Sequence, residues 1–114
     1  VSTTLTKDKG KLLENAVFLH LRRSHGKDSV FYYRGERECD FVVRQAGGKL
    51  SAFQACYRLD EDNRARETQG LLEAMQKLKL KIGTIVTLDE EDSLKEGPRK
   101  INVVPAWKLM ADRA

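Results

Sequence analysis

Three places in this chain set a polar side chain inside an apolar pattern: Glu14, Asp40, and the pair Gln54 and Cys56. Glu14 shares a helical stripe with Val17, Phe18 and Leu21, so its carboxylate rides on an apolar face and requires a partner. Alternation along Glu38 to Val43 puts Asp40 and Val42 on one face, with Cys39, Phe41 and Val43 on the other. Leu50, Ala52, Gln54 and Cys56 share a face of the next extended run, and adjacent strands of opposite direction would bring Asp40 opposite Gln54 and Cys56. The chemistry open to such a set is cation binding by the carboxylates, since hard cations are held chiefly by carboxylate oxygen, or thiol reactivity at Cys56. The structural alternatives are an ion pair between Asp40 and Arg34, Arg37 or Arg44, a hydrogen bond from Glu14 to backbone or to the Tyr32 and Tyr33 hydroxyls, an amide partner for Gln54, and cysteines that act as small core hydrophobes.

Several function classes are excluded by what is missing. There is no Gly-x-x-x-x-Gly-Lys-Ser/Thr, Gly-x-Gly-x-x-Gly, Gly-x-Ser-x-Gly or His-Glu-x-x-His, so these residues alone do not form an ordinary nucleotide hydrolase. Cys39 and Cys56 are too few for a disulfide scaffold, and His20 and His25, at i and i+5, are out of phase for a joint zinc set. No window is apolar for the ~18 residues a membrane span needs, so no membrane partner is expected. The scarcity of cysteines and the lack of a basic-then-apolar opening segment lead to the expectation of a cytoplasmic protein. The 114 residues form a single domain, 40% hydrophobic and 33% charged. The chain opens Val1-Ser2-Thr3-Thr4 without an initiator Met, which reads as a segment of something longer. Of the net charge of +4, residues 1–58 contribute 11 basic and 6 acidic side chains and residues 59–114 contribute 10 and 11. The first half is therefore the seat expected for an anionic partner.

The elements that must position these residues follow from periodicity and turn chemistry. Lys7 to Ser24 is helical, with Leu13, Val17 and Leu21 on one stripe, Leu12, Ala16 and Leu19 beside it, Thr6 as N-cap and Gly26 as terminator. Val30 to Tyr33, Glu38 to Val43 and Leu50 to Tyr57 form an antiparallel meander. Asp60 to Asn63 caps a second helix running to about Leu80 on a Leu71, Leu72, Met75 and Leu78 stripe. Ile82 to Leu88 is a buried strand, parallel to the third across a helical crossover. Asp89 to Pro98 reads as a solvated acidic loop. Ile101 to Val104 is a last strand, Pro105 opens a short helix at its first position, and Trp107 and Met110 serve as core or as a docking seam. The order predicts an α/β sandwich on a mixed central sheet.

These residues carry a family resemblance. The α-β-β-β-α-β order, with Glu14 on the first helix, Asp40 on the second strand and Gln54-Ala55-Cys56 fourteen positions later, resembles the PD-(D/E)XK restriction-endonuclease-like fold, in which Asp, Glu and Lys hold Mg²⁺ and activate water. More narrowly, Leu12-Leu13-Glu14-Asn15-Ala16-Val17, Tyr32-Tyr33-Arg34, Glu38-Cys39-Asp40-Phe41-Val42-Val43, Gln54-Ala55-Cys56-Tyr57, Arg66-Glu67, Gly70-Leu71 and Val104-Pro105-Ala106-Trp107 resemble a domain of unknown function. That domain closes the C-terminus of predicted prokaryotic AAA-type ATPases. The resemblance runs from about Lys9 to Trp107.

The resemblance implies that Asp40 and Glu14 match the metal-binding acids. It also exposes a departure, because the third-strand Glu-x-Lys reads Gln54-Ala55-Cys56, which removes one anion and the ammonium that steadies a phosphate. A cation migrated from Arg58, Arg64 or Arg66 would be needed to replace it. The leading expectation is thus a degenerate, non-catalytic nuclease-like domain that serves an N-terminal ATPase domain in substrate binding or assembly, with DNA contacted through Arg22, Arg23, Lys27, Arg34, Arg37 and Arg58. The alternatives are a Mg²⁺-dependent DNA endonuclease with a variant site, and a protein-interaction or homo-oligomerisation module.

Overall fold

The computed structural model describes the backbone of residues 2–35 and 38–111, with side chains from residue 8 onward apart from that of Glu38. Arg37, one of the cations expected to meet DNA, lies outside the described residues. The elements are α1 (Ser2–His25), β1 (Val30–Arg34), β2 (Glu38–Arg44), β3 (Leu50–Ala55), α2 (Arg64–Lys77), β4 (Ile82–Thr87), β5 (Asp92–Glu96), β6 (Arg99–Pro105) and α3 (Ala106–Ala111). They build one six-stranded mixed sheet in the order β1-β2-β3-β4-β6-β5. The meander β1-β2-β3 is antiparallel, β4 runs parallel to both β3 and β6, and β5 pairs antiparallel with β6.

Each face of the sheet carries its own core. Leu13, Val17 and Leu21 of α1 close over Phe41, Val43 and Val86, with Leu109 of α3 beside them. On the opposite face Leu71, Ala74 and Met75 of α2 cover Ala52, Ile85, Ile101 and Val103. The helical stripes expected from the sequence are therefore the buried ones. Leu12 and Leu19 are not part of them, at 70% and 40% exposed. Gly83 lets β4 approach α2, since a Cβ there would stand 2.6 Å from Met75 Sδ and 3.2 Å from Leu71.

Boundaries differ from expectation in ways that have local causes. α1 starts at Ser2, so Thr6 is inside the helix rather than its cap; no proline or turn signal precedes Asp8, and extending a nucleated helix is easy. Its end is as expected, with the Gly26 N–H donating to the Arg22 carbonyl at 2.8 Å and Gly26 at φ +96°. α2 stops at Lys77, where Leu80 N–H reaches back to the Met75 carbonyl at 2.7 Å and Lys79 takes the left-handed φ of +59°. That is a Schellman closure with lysine in the seat glycine prefers.

The acidic stretch after Asp89 is not wholly loop, because β5 occupies Asp92–Glu96 with only Leu94 buried. One apolar residue in five is the pattern of a charged sheet edge, which leaves no hydrophobic signal to read. Pro105 ends β6, fully buried and paired with Thr87, instead of opening α3. A proline tolerates that place because it lies at the strand's end.

Candidate functional site

The junction of β1, β2 and β3 is where the candidate residues meet, and a bulge shapes it. Phe31 pairs with Val42 but Tyr33 pairs with Cys39, so β2 advances three residues while β1 advances two. The extra residue reverses the side-chain alternation at Asp40. Cys39 consequently enters the α2 face, with Ala52 and Leu71, and does not share the face of Phe41 and Val43. Asp40, at the reversal, is half-buried and lines a cleft of about 300 Å³ with Glu14, Tyr32, Tyr33, Arg34 and Cys39. The two carboxylates expected together do share this cleft.

At this point side chains take over from the regular backbone ladder. The Asp40 N–H donates to Gln54 Oε1 at 3.2 Å, and Asp40 Oδ2 accepts the Ala55 N–H at 2.7 Å. Gln54 Nε2 then donates to Glu67 Oε1 of α2 at 3.1 Å. Glu67 Oε2 faces Arg66 Nε at 3.4 Å, with the Glu67 side chain 16% exposed and that of Arg66 74%. Both ends of the Gln54 amide are satisfied, as a polar group only 8% exposed requires. Gln54 bonds to a neighbouring backbone amide, which is the structural role weighed for it. From sequence, Glu67 enters only within the Arg66-Glu67 resemblance and is not among the expected site residues. Its position four residues before Leu71, on the buried stripe of α2, was the available signal.

Cys56 follows β3, buried against the same network. Its Sγ–H donates to the Arg58 carbonyl at 3.2 Å, and Asn63 Nδ2 lies 3.6 Å from the sulfur. Burial first, and then the Glu67 carboxylate, push its thiol up to about 12. Cys39 is pushed to about 12 by the same burial, with Phe53 O accepting at 3.4 Å. Both cysteines are free and buried. At neutral pH neither supplies a thiolate, so they serve as core residues.

The remaining candidates are distributed unevenly. The Tyr33 hydroxyl is hydrogen-bonded to Glu73 of α2 and not to Glu14; burial and then Glu73 raise its pKa. Arg22 and Arg34 both flank the aromatic rings beside the Glu14 cleft, and Arg23 and Lys27 are exposed around the end of α1. Arg58 is not on a strand, since β3 ends at Ala55, and its carbonyl binds Asn63 Nδ2 at 2.8 Å. The neighbouring cleft is lined by Asp60, Glu61, Glu90, Glu91 and Asp92, which makes that corner anionic. Arg64 lines this acidic cleft, leaving Arg66 as the cation in contact with the Gln54 network, through Glu67. Among the described residues no group of three or more His, Cys, Asp or Glu is placed to hold a metal ion. Among them, too, no helix is long and apolar enough to cross a membrane. Trp107 is 65% exposed and Met110 37%, so neither is a core residue.

The chain is 34% identical over 122 residues to the uncharacterized protein MJ1544 of Methanocaldococcus jannaschii, an alignment covering 94% of this chain and 26% of that protein. It thus spans about a quarter of the length of the relative it matches. The family model for a domain of unknown function, DUF4143, matches residues 9–109, a span that includes Glu14, Asp40, Gln54, Cys56 and Glu67. The chain belongs to the DUF4143 family.

Proposed function

We propose that this chain is a nuclease-like domain that no longer cleaves and that binds nucleic acid as an accessory module of a larger, cytoplasmic AAA-type ATPase. The observation that carries the reading is the occupied Gln54 amide. Where a PD-(D/E)XK site would offer a second carboxylate to Mg²⁺, Gln54 joins Asp40 to Glu67 and so ties β2, β3 and α2 together. Where that site would hold an ammonium, the buried Cys56 thiol stays neutral. Asp40 Oδ2 serves the Ala55 N–H. Such an arrangement holds the meander and leaves it without the charge needed to steady a pentacovalent phosphate.

Two observations support an anionic partner and a larger assembly. The basic excess of the first half gathers partly at the end of α1 and beside β1. The curated relative is about four times the length of the matched region, in keeping with a module working beside another domain.

The test is incubation of the chain with supercoiled and single-stranded DNA, with Mg²⁺ or Mn²⁺, across a salt series. The expected result is no cleavage, and binding that weakens as salt rises because lysine and arginine contacts release counterions. Metal-dependent cleavage lost in both Asp40→Ala and Glu14→Ala would overturn the non-catalytic reading. Absence of binding at low salt would overturn the nucleic-acid reading in favour of a protein-interaction module.

A further inference from the structure

A row of rings and guanidiniums runs along the rim of the Glu14 cleft. Phe18 of α1, Tyr32 of β1 and Phe41 of β2 pack together, with centroids 6.1 Å apart for Phe18 and Tyr32, 5.7 Å for Phe18 and Phe41, and 5.6 Å for Tyr32 and Phe41. Phe41 is fully buried and anchors the group. Arg22 Cζ stands 5.3 Å from the Phe18 centroid and Arg34 Cζ 5.9 Å from that of Tyr32. The sequence in space is therefore Arg22, Phe18, Tyr32, Arg34, and Tyr32 remains 55% exposed. Among the described residues β1 is an edge strand, with no further strand of the sheet on its outer side. The other face of the same strand repeats the pair, with Phe31 40% exposed and Arg44 Cζ 5.0 Å from its centroid.

Folding alone does not account for large rings left open at a sheet edge on both faces. Exposed aromatics interleaved with cations match a ligand that alternates flat π surfaces with negative charges, and unpaired nucleic acid has that form. In a duplex the base faces are buried in the stack, so an exposed ring finds no base face to stack on. A guanidinium resting on an exposed ring is weakly held and can turn to a phosphate while the ring meets a base. Glu14 and Asp40 line the cleft next to Tyr32 and Arg34 and repel phosphate, which directs the backbone outward toward Arg22 and Arg34.

We infer that the β1 edge is a binding platform for single-stranded nucleic acid, in which a base stacks on Tyr32 and the flanking phosphates pair with Arg22 and Arg34. The inference rests on the nucleic-acid reading above and adds the strandedness and the residue that determines it.

It is tested by fluorescence anisotropy at low salt with a labelled oligothymidylate of about 16 nucleotides and with a duplex of the same length. The wild-type chain is compared with Tyr32→Leu and Tyr32→Phe, and circular dichroism verifies that each variant is folded. Single strand should bind at least tenfold tighter than duplex, Tyr32→Leu should lose roughly tenfold on the single strand alone, and Tyr32→Phe should retain wild-type affinity. Arg34→Gln should lower the salt dependence by about one ion. Equal affinity for both forms, or an unchanged Tyr32→Leu, would overturn the platform while leaving nucleic-acid binding standing. No binding of either form would overturn both.

Discussion

Two polar regions lie side by side on this domain and use their side chains in opposite ways. At the β2–β3 junction Asp40, Gln54 and Glu67 face one another or backbone amides, and each reported contact fixes an element in place. At the β1 edge Tyr32, Phe31 and Arg34 are exposed, and their contacts are loose ring and guanidinium pairs. The first region carries the residues that the sequence resemblance proposed as a catalytic set, and the second carries groups able to meet a large anion. Matching position is therefore a poor guide to present role; what counts is whether a group's hydrogen-bonding capacity is already filled by the fold.

The sharpest way to break that contrast is to remove the junction's carboxylate. Asp40→Ala leaves the Ala55 N–H without its acceptor and should cost about 1.5–3 kcal/mol in urea unfolding, the range for losing a hydrogen bond to a charged group. A carboxylate kept for catalysis would instead leave stability unchanged or improved on removal. Gly83→Ala comes next. It presses a methyl against the fully buried Met75 and Leu71 and should cost about 1–3 kcal/mol by overpacking the helix that carries Glu67. Gly83→Ala, remote from the cleft beside Tyr32, should leave binding at the β1 edge unaltered once the protein is folded.

Gln54→Glu sharpens the comparison from the other side. It sets a third carboxylate beside Asp40 and Glu67, and like charges close together disfavour ionisation. The variant should be less stable than wild type by about 1 kcal/mol at pH 8, with the deficit shrinking in acid as carboxylates protonate. Denaturant unfolding at several pH values would read it.

The cysteines give a further check. With folded values of about 12 against an ordinary value of 9.0, the folded chain keeps thiol protons that the unfolded chain releases. Stability from this source is fully present below pH 9 and is lost as pH rises from there toward 12. Iodoacetamide at pH 8 should therefore modify Cys39 and Cys56 only as fast as the chain opens, and rapid labelling of folded protein would contradict their burial. Lys79→Gly is the smallest effect. It relieves the left-handed φ of +59° and should stabilise by about 0.5–1 kcal/mol, visible as a raised melting temperature.

The sequence disclosed the parts that long-range periodicity encodes. The Leu13, Val17 and Leu21 stripe, the Leu71 and Met75 stripe and the alternating meander all point to the layers the fold adopts. It concealed β5, whose charges and single buried leucine serve an edge rather than a core. It also concealed the bulge at Asp40, because one inserted residue changes which face Cys39 occupies without altering composition. The pairing of Asp40 with Gln54 followed from strand adjacency, whereas Glu67 joined them through a helix whose phase over the sheet is set by tertiary packing. The ring and guanidinium row was unread for the same reason: Phe18 and Tyr32 are fourteen positions apart and meet only when α1 docks on the meander.

The central claim, that Asp40 and Gln54 are structural, is tested most directly by the melting temperature of the wild-type chain with and without Mg²⁺ or Mn²⁺. A cation that binds the folded state alone must raise that temperature. The account predicts no shift with either metal. A rise that Asp40→Asn abolishes would contradict it and return the junction to the company of working nuclease sites.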